Sequence, residues 1–482
     1  MLVATGNRLR NLFLVLVAVT VSACTTTPRQ PPGIPPLNYL ALDPLFDDIQ
    51  ERTFRFFWEV SDPVNGMMPD RHPAPAPASI AAIGFALTAY PIGVERGYIP
   101  REQARDRTLT TLRFLRDAPQ GPEPTGKAGY HGFFYHFLDM STGTRFGANE
   151  LSTVDTALLI SGVLFAAGYF DADTPEEQEI RSVADELYRR VEWTWAMPRP
   201  PSITLAWSPE QGFFKYDWRG YNESMMVYIL ALGSPTYAPS NDAWQAWLSR
   251  YEQSWGKLGG TEHLTFAPMF GHQYAAVWID YRGIQDGYMR ERGFDYFENS
   301  RRAVYSQRAY AIENPMGWRG YSKDVWGITA SDGPADVYLP YQNEIRIFRT
   351  YAARGVGLNP AHNYDDGTIA PTAALASLPF APEIVIPAVQ EMHKQYGQHI
   401  YGRYGFLDAF NMSFRYDNVK LLHGRRVPGF GWVDTDYLGI DQGPIFAMIE
   451  NYRSELVWSV MRSNPYLRRG LQRAGFTGGW LE

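Results

Sequence analysis

The feature that most limits what this chain can become is a recurring contrast between two kinds of helix-like segment. Leu151 to Phe165 is apolar nearly all round, whereas Pro175 to Arg190 is strongly charged along one face. A helix that is apolar on every side must be covered on every side, and a one-sided helix can supply the cover. Such segments recur along the sequence, so an inner layer of buried helices wrapped by an outer amphipathic layer is expected: an all-α, single-domain (α/α)6 toroid. Periodicity places helices over Leu45 to Val60, Ser79 to Val94, Pro100 to Leu115, Leu151 to Tyr169 and Pro175 to Trp195 in the first half. Later ones are expected over Asn222 to Leu232, Asn241 to Leu258, Phe270 to Tyr281, Phe294 to Ile312, Ile369 to Leu378, Pro382 to Tyr396 and Asp441 to Arg462.

The loops between these helices are long and carry Trp, Tyr, His, Asp and Gly together: Gly66 to His72, Gly129 to Glu150, Phe213 to Asn222, Trp318 to Tyr341, Tyr401 to Asn411 and Gly429 to Gly443. Loops of this kind on a rigid scaffold are where binding residues concentrate. One of them runs through Tyr221-Asn222-Glu223 into the apolar run Met225 to Leu232, closed by Gly233 and Pro235. Asn222 suits an N-cap, which puts Glu223 in the first turn, at the mouth of a helix. A carboxylate there can simply complement the helix dipole. Aromatics make up 15% of the chain, with 14 Trp and 30 Tyr, and flat rings with polar tips suit the faces and hydroxyls of sugars as well as thick cores.

Several chemistries are excluded. No HExxH, GxSxG elbow or phosphate loop with a Lys is present, and with one Cys there is no cysteine-based metal site or disulfide. A net charge of −7 without a long basic run argues against nucleic acid. What remains is carboxylates among aromatics: Asp139 and His131 in Tyr130 to Asp139, then Glu150, Ser152 and Asp155, and further on Asp332, Asp336, Glu344, Asp408, Asp434, Asp436 and Asp441. Ser152 with Asp155 also fits a capping box, and Asp139 also fits the start of a Ser-Thr-Gly turn. Glycoside hydrolysis needs two carboxyl groups flanking the scissile bond, so the pattern points to a glycan-active enzyme. A cleft is expected along Asp70, Arg71, Tyr221, Trp326, Trp432 and Tyr437, the Arg as a bidentate donor and the rings as stacking platforms.

The amino terminus carries its own signal. Arg8 and Arg10 precede the apolar run Leu12 to Val21 and Ser22-Ala23-Cys24, the form of a lipoprotein export signal. Residues 1–23 are therefore read as a signal peptide, 24–42 as a Pro- and Thr-rich tether lipidated at Cys24, and 43–482 as the folded domain. The expected location is the outer membrane, facing the periplasm.

The stretches GYNESMMVYILALGSP, NELSTVDTALLISG, WGITASDGP, IAPTAALASLPFAPE, YGFLDAFN and GIDQGPIFAMIENYRS resemble the glucoamylase-like domain of glycoside hydrolase family 144, over roughly residues 43 to 476. The resemblance implies a single (α/α)6 barrel, cleavage of β-1,2-glucan with inversion, and no required metal or cofactor. It implies Glu223 as general acid, with Asp139 and Asp155 at acidic positions in the same cleft; His131, Glu150, Asp408 and Asp441, read from the loops themselves, are further candidates for contact with substrate. A monomer acting as an endo-glucanase is the expected form. The alternatives are an exo-acting or transglycosylating enzyme of the same barrel, or a lipid-anchored glycan-binding protein, which needs stacking rings but no facing pair of carboxyl groups.

Overall fold

The computed structural model describes residues 34–482. The signal peptide, Cys24 and the first part of the tether lie outside the described residues. No described helix is long and apolar enough to cross a membrane.

Helices carry the core. Helix Pro44–Val60 starts on Asp43, whose carboxylate accepts from the Leu45 N–H at 2.9 Å, with Pro44 fitting the first turn. Helix Ile80–Glu95 follows and is buried continuously from Ile80 to Gly93. Helix Thr153–Tyr169 is its principal neighbour and is buried almost as completely. Their backbones nearly touch: a Cβ on Gly162 would sit 2.0 Å from the Gly84 carbonyl oxygen, so neither glycine can be replaced without parting the helices. Helices Met225–Gly233 and Gly439–Ser454 flank this pair and are also buried, and Pro371–Leu375 packs on the last. Around them lie Arg101–Asp117, Pro175–Arg189, Tyr296–Glu313 and Pro382–Ile400, each with a wet face. Pro175–Arg189 shows the local logic well, with Thr174 accepting from the Glu177 N–H at 3.3 Å and Pro175 in the first turn.

The expected helices recur with changed ends. Asn241 to Leu258 breaks into Asp242–Leu248 and Tyr251–Ser254, and Trp255–Leu258 becomes a strand paired with Thr261–Leu264 across the Gly259-Gly260 turn. Asp441 to Arg462 is cut at Glu455, whose φ of 59° ends Gly439–Ser454 and starts Leu456–Arg462. Phe270 to Tyr281 is a 3-10 turn, Met269–His272, followed by Tyr274–Trp278. Helices Gly287–Arg292 and Pro465–Arg473 were not expected. Nor is the chain purely helical: the loops are stiffened by two- and three-stranded antiparallel pairings of short strands, the longest Val337–Tyr341 with Glu344–Phe348.

Contacts with the domain are made already before the expected boundary at residue 43. Ile34 is buried, the Pro35 carbonyl accepts from Arg301 at 2.7 Å, and Tyr452 Oη bridges the Leu40 N–H (2.6 Å) and carbonyl (2.7 Å). Residues 34–42 are thus a strap laid on the domain rather than free tether.

Candidate active site

The buried helices bring their amino-terminal ends to a common place, and the acids sit there. Ser152 caps Thr153–Tyr169 by accepting from the Asp155 N–H at 3.2 Å, while its own hydroxyl donates to Asp155 Oδ2 at 2.5 Å. Ser152 is therefore a true N-cap, but the reciprocal bond of a capping box, from the Ser152 N–H to Asp155, is not made; Asp155 faces the cleft instead. Across from it, helix Met225–Gly233 starts later than expected. Asn222 is not its N-cap; Asn222 Oδ1 instead accepts from the Ser224 N–H (2.9 Å) and hydroxyl (2.5 Å), an Asx turn that holds Glu223 just outside the helix.

Glu223, Asp155, Asp70, Arg71, His136, Phe137, Phe270, Tyr274 and Tyr351 line one cavity of about 310 Å³. Glu223 Oε2 is buried with no hydrogen-bond partner. Burial, reinforced by the charge on Asp155, pushes the Glu223 carboxyl up to about 7. His136 ties the near wall together, with Nδ1 2.9 Å from Glu150 Oε1 and Nε2 3.7 Å from Asp155 Oδ2. Burial works against its charge, but Asp155, Glu150 and Asp70 outweigh that and hold it at about 9.

Behind Arg71 lies a buried acidic cluster larger than the sequence suggested. Arg71 donates to Asp332 from Nη1 (2.5 Å) and Nη2 (3.3 Å), with Asp70 at 3.5 Å and Asp436 at 3.7 Å. The Asp332 N–H donates to Asp408 Oδ2 at 2.8 Å. Asp332, Asp408, Asp434, Asp436 and Asp441 are all buried, and Asp408 Oδ1, Asp434 Oδ2 and Asp441 Oδ2 lack partners. Burial and the neighbouring Asp332 raise Asp408 to about 7, and Asp434 and Asp441 are driven well above the usual carboxylate range. Two triads, Asp332-Asp408-Asp434 and Asp332-His423-Asp436, bring ligand atoms within 4.8 Å, the spacing a cation needs, and Arg71 already places its positive charge against Asp332, Asp436 and His423.

Of the residues expected here, Asp70, Arg71, Asp155 and Glu223 line the cavity, Glu150 braces it through His136, and Asp408 and Asp441 belong to the buried acidic cluster behind Arg71. Others do not. Asp139 is a turn residue, its Oδ1 accepting from the N–H and hydroxyl groups of Ser141 and Thr142, and those bonds pull it down to about 2. His131 stacks on Trp195 at 4.4 Å and pairs with Glu192 at 2.9 Å. Trp326 and Trp432 are wholly buried, the latter donating to the His423 carbonyl at 2.9 Å, so both are core rings rather than stacking platforms. Tyr437 is buried against Phe56 and Tyr404. Tyr221 stacks on Tyr296 and bonds His272 at 3.1 Å. His136, Tyr274 and Tyr351 were missed; His136 sits beside His131 in the same loop, and only the fold distinguishes the two.

A buried glutamic acid beside a second carboxyl group, in a ring-lined cavity on a helical scaffold, is the equipment a glycoside hydrolase uses. The Glycoamylase family model matches residues 215–465, and the chain belongs to that glucoamylase-like family, as its resemblance to glycoside hydrolase family 144 implied. An endo-β-1,2-glucanase from Chitinophaga pinensis, solved with sophorotriose and glucose, is 30% identical with a TM-score of 0.76, covering 92% of this chain and 100% of that one. A β-1,2-glucanase structure from Parabacteroides distasonis is 30% identical (TM-score 0.75) over 89% of this chain and 60% of that one. An exo β-1,2-glucooligosaccharide sophorohydrolase of the same organism is 31% identical over 456 residues, 89% of this chain; the chain spans 57% of that relative's length.

Proposed function

We propose that the protein hydrolyses β-1,2-glucan with inversion, from a closed (α/α)6 ring formed by residues 43–482 as a monomer. The observation that carries this is Glu223, held protonated near neutral pH by burial, beside Asp155 in one sugar-sized cavity. Glu223 gives its proton to the glycosidic oxygen as the bond to the anomeric carbon breaks. Water attacks that carbon from the opposite face and yields its proton to Asp155, or to the Asp408–Asp441 pair through a substrate hydroxyl. Arg71 and Asp70 hold sugar hydroxyls in front of the acidic cluster.

The test is Glu223→Gln. The variant should fold and bind glucan while turnover falls on the order of 10²–10⁴, the usual share of a general acid. Near wild-type turnover would move the acid to an aspartate, and unchanged binding with no turnover in the wild type would favour a glycan-binding protein. A second reading, exo action releasing sophorose from the non-reducing end, is supported by the exo-acting relative. The size distribution of early products separates it from endo cleavage.

We further propose that Cys24 is lipidated and anchors the enzyme in the outer membrane on the periplasmic side. Cys24→Ala should move it to the soluble fraction, and persistence in salt-washed membranes would count against the anchor.

A further inference from the structure

A second cavity of about 310 Å³ adjoins the first and has the opposite charge character. The two share walls: Tyr221 and Asn222 line the second where Glu223 lines the first, Pro268 where Phe270 does, and Ala353 where Tyr351 does. No carboxylate lines the second cavity, whereas Arg219, Arg250 and His362 do. Arg250 has no ion-pair partner among the described residues. Arg219 lies 3.6 Å from Asp217, which Arg199 also engages at 2.5 Å and 3.0 Å, so one carboxylate faces two guanidinium groups. The backbone brings the two stretches that carry Arg219 and Arg250 together. Gly220 takes a φ of 84°, donates to the Trp247 carbonyl at 2.7 Å, and would bring a Cβ within 3.2 Å of the Arg250 Cβ.

Two guanidinium groups lining a cavity that no carboxylate lines give it a positive potential, which favours an anion over a neutral group. Neutral sugar hydroxyls need no such arrangement, since amides and hydroxyls serve them equally. We propose that this cavity receives an anionic substituent, a carboxylate half-ester or phosphate ester, on the sugar next to the scissile bond, so that the enzyme prefers anionically decorated glucan. The proposal rests on the hydrolase reading for the identity of the first cavity. Guanidinium groups suit both anions, and phosphate, with more acceptor oxygens, gains more from a pair of them.

The test uses a neutral β-1,2-gluco-oligosaccharide, its half-succinylated form and its phosphorylated form. Calorimetry on Glu223→Gln reads binding apart from turnover. The anionic forms should bind about 10-fold more tightly than the neutral one at low salt, the size of one charge-assisted hydrogen bond, with the advantage shrinking as NaCl is added. Arg219→Gln with Arg250→Gln should abolish the advantage, and Arg250→Lys should restore part of it. Equal affinity for neutral and anionic forms, or an advantage that survives the double variant, overturns the inference. Failure of the wild type to cleave any of the three compounds sinks the hydrolase reading instead, and the binding comparison still decides the charge preference.

Discussion

At the scale of single residues, the site is governed by burial set against charge. Glu223 stands before a helix whose dipole favours its anion, yet loss of solvent and the nearby Asp155 win, and the carboxyl titrates near 7. Turnover should therefore fall as pH rises above about 7, with the apparent pKa of that limb belonging to the coupled carboxyl groups. A limb that stays flat to pH 9 would remove Glu223 from the acid role. The same groups set stability. Glu223 and Asp408, with ordinary values of 4.5 and 3.8, keep protons to about 7 in the folded state, and His136, ordinarily 6.5, keeps its proton to about 9. Their stabilisation is present below the ordinary values and is lost as pH rises through the folded ones. Glu150 and Asp139, both lowered, act oppositely and matter only as pH falls through the acidic range. The melting temperature should be higher near pH 5.5 than near pH 8, and Asp408→Asn should narrow the gap; a melting temperature that climbs steadily from pH 5.5 to 8 would contradict the raised values.

At the scale of elements, the three-stranded sheet Phe410–Asn411, Gly431–Val433 and Arg425–Val427 illustrates what the loops are for. It carries Trp432 in its middle strand, wholly buried, opposite Asn411 and Arg426. Trp432→Ala should cost about 3–5 kcal/mol of stability while the folded fraction keeps its affinity for glucan, the reverse of what a stacking platform would do. Denaturant melts paired with oligosaccharide titration check this, and lost affinity at unchanged stability would return the ring to the cleft. The sequence made Trp432 look like a sugar platform because aromatic residues in a loop read alike whether the loop is wet or sealed by strands. Helices were more legible. Pro44–Val60 and Pro175–Arg189 announce themselves by cap, Pro and stripe, all local properties. The break at Glu455 was not legible, because a left-handed φ on a glutamate is imposed by packing and by its ion pairs with Arg282 and Arg462. Asp155 was legible as a partner of the Ser152 cap and as an acid, and the fold makes it both; His136 was hidden because nothing local separates it from His131.

At the scale of the whole molecule, the strap from Ile34 to Leu42 belongs to the domain. Cutting the chain after Gly33 should leave the melting temperature unchanged, whereas cutting after Leu42 should lower it by exposing the surface under Ile34 and freeing Arg301 and Tyr452. Equal melting temperatures for the two truncations would make the strap ornamental. The strap is one of several places where the start of the chain meets its end. Gln50 bonds Glu450 at 2.9 Å across 400 residues, and Arg71-His72 pairs with Tyr437-Leu438. Asp70 and Arg71 come from the beginning, whereas Asp408, Asp434, Asp436 and Asp441 come from near the finish. During synthesis the polypeptide thus emerges with Arg71 ahead of the distant aspartates it binds, Asp332 and Asp436, so the site is completed only when the late segments arrive. The catalytic pocket is thus assembled late, from the two ends of the described chain.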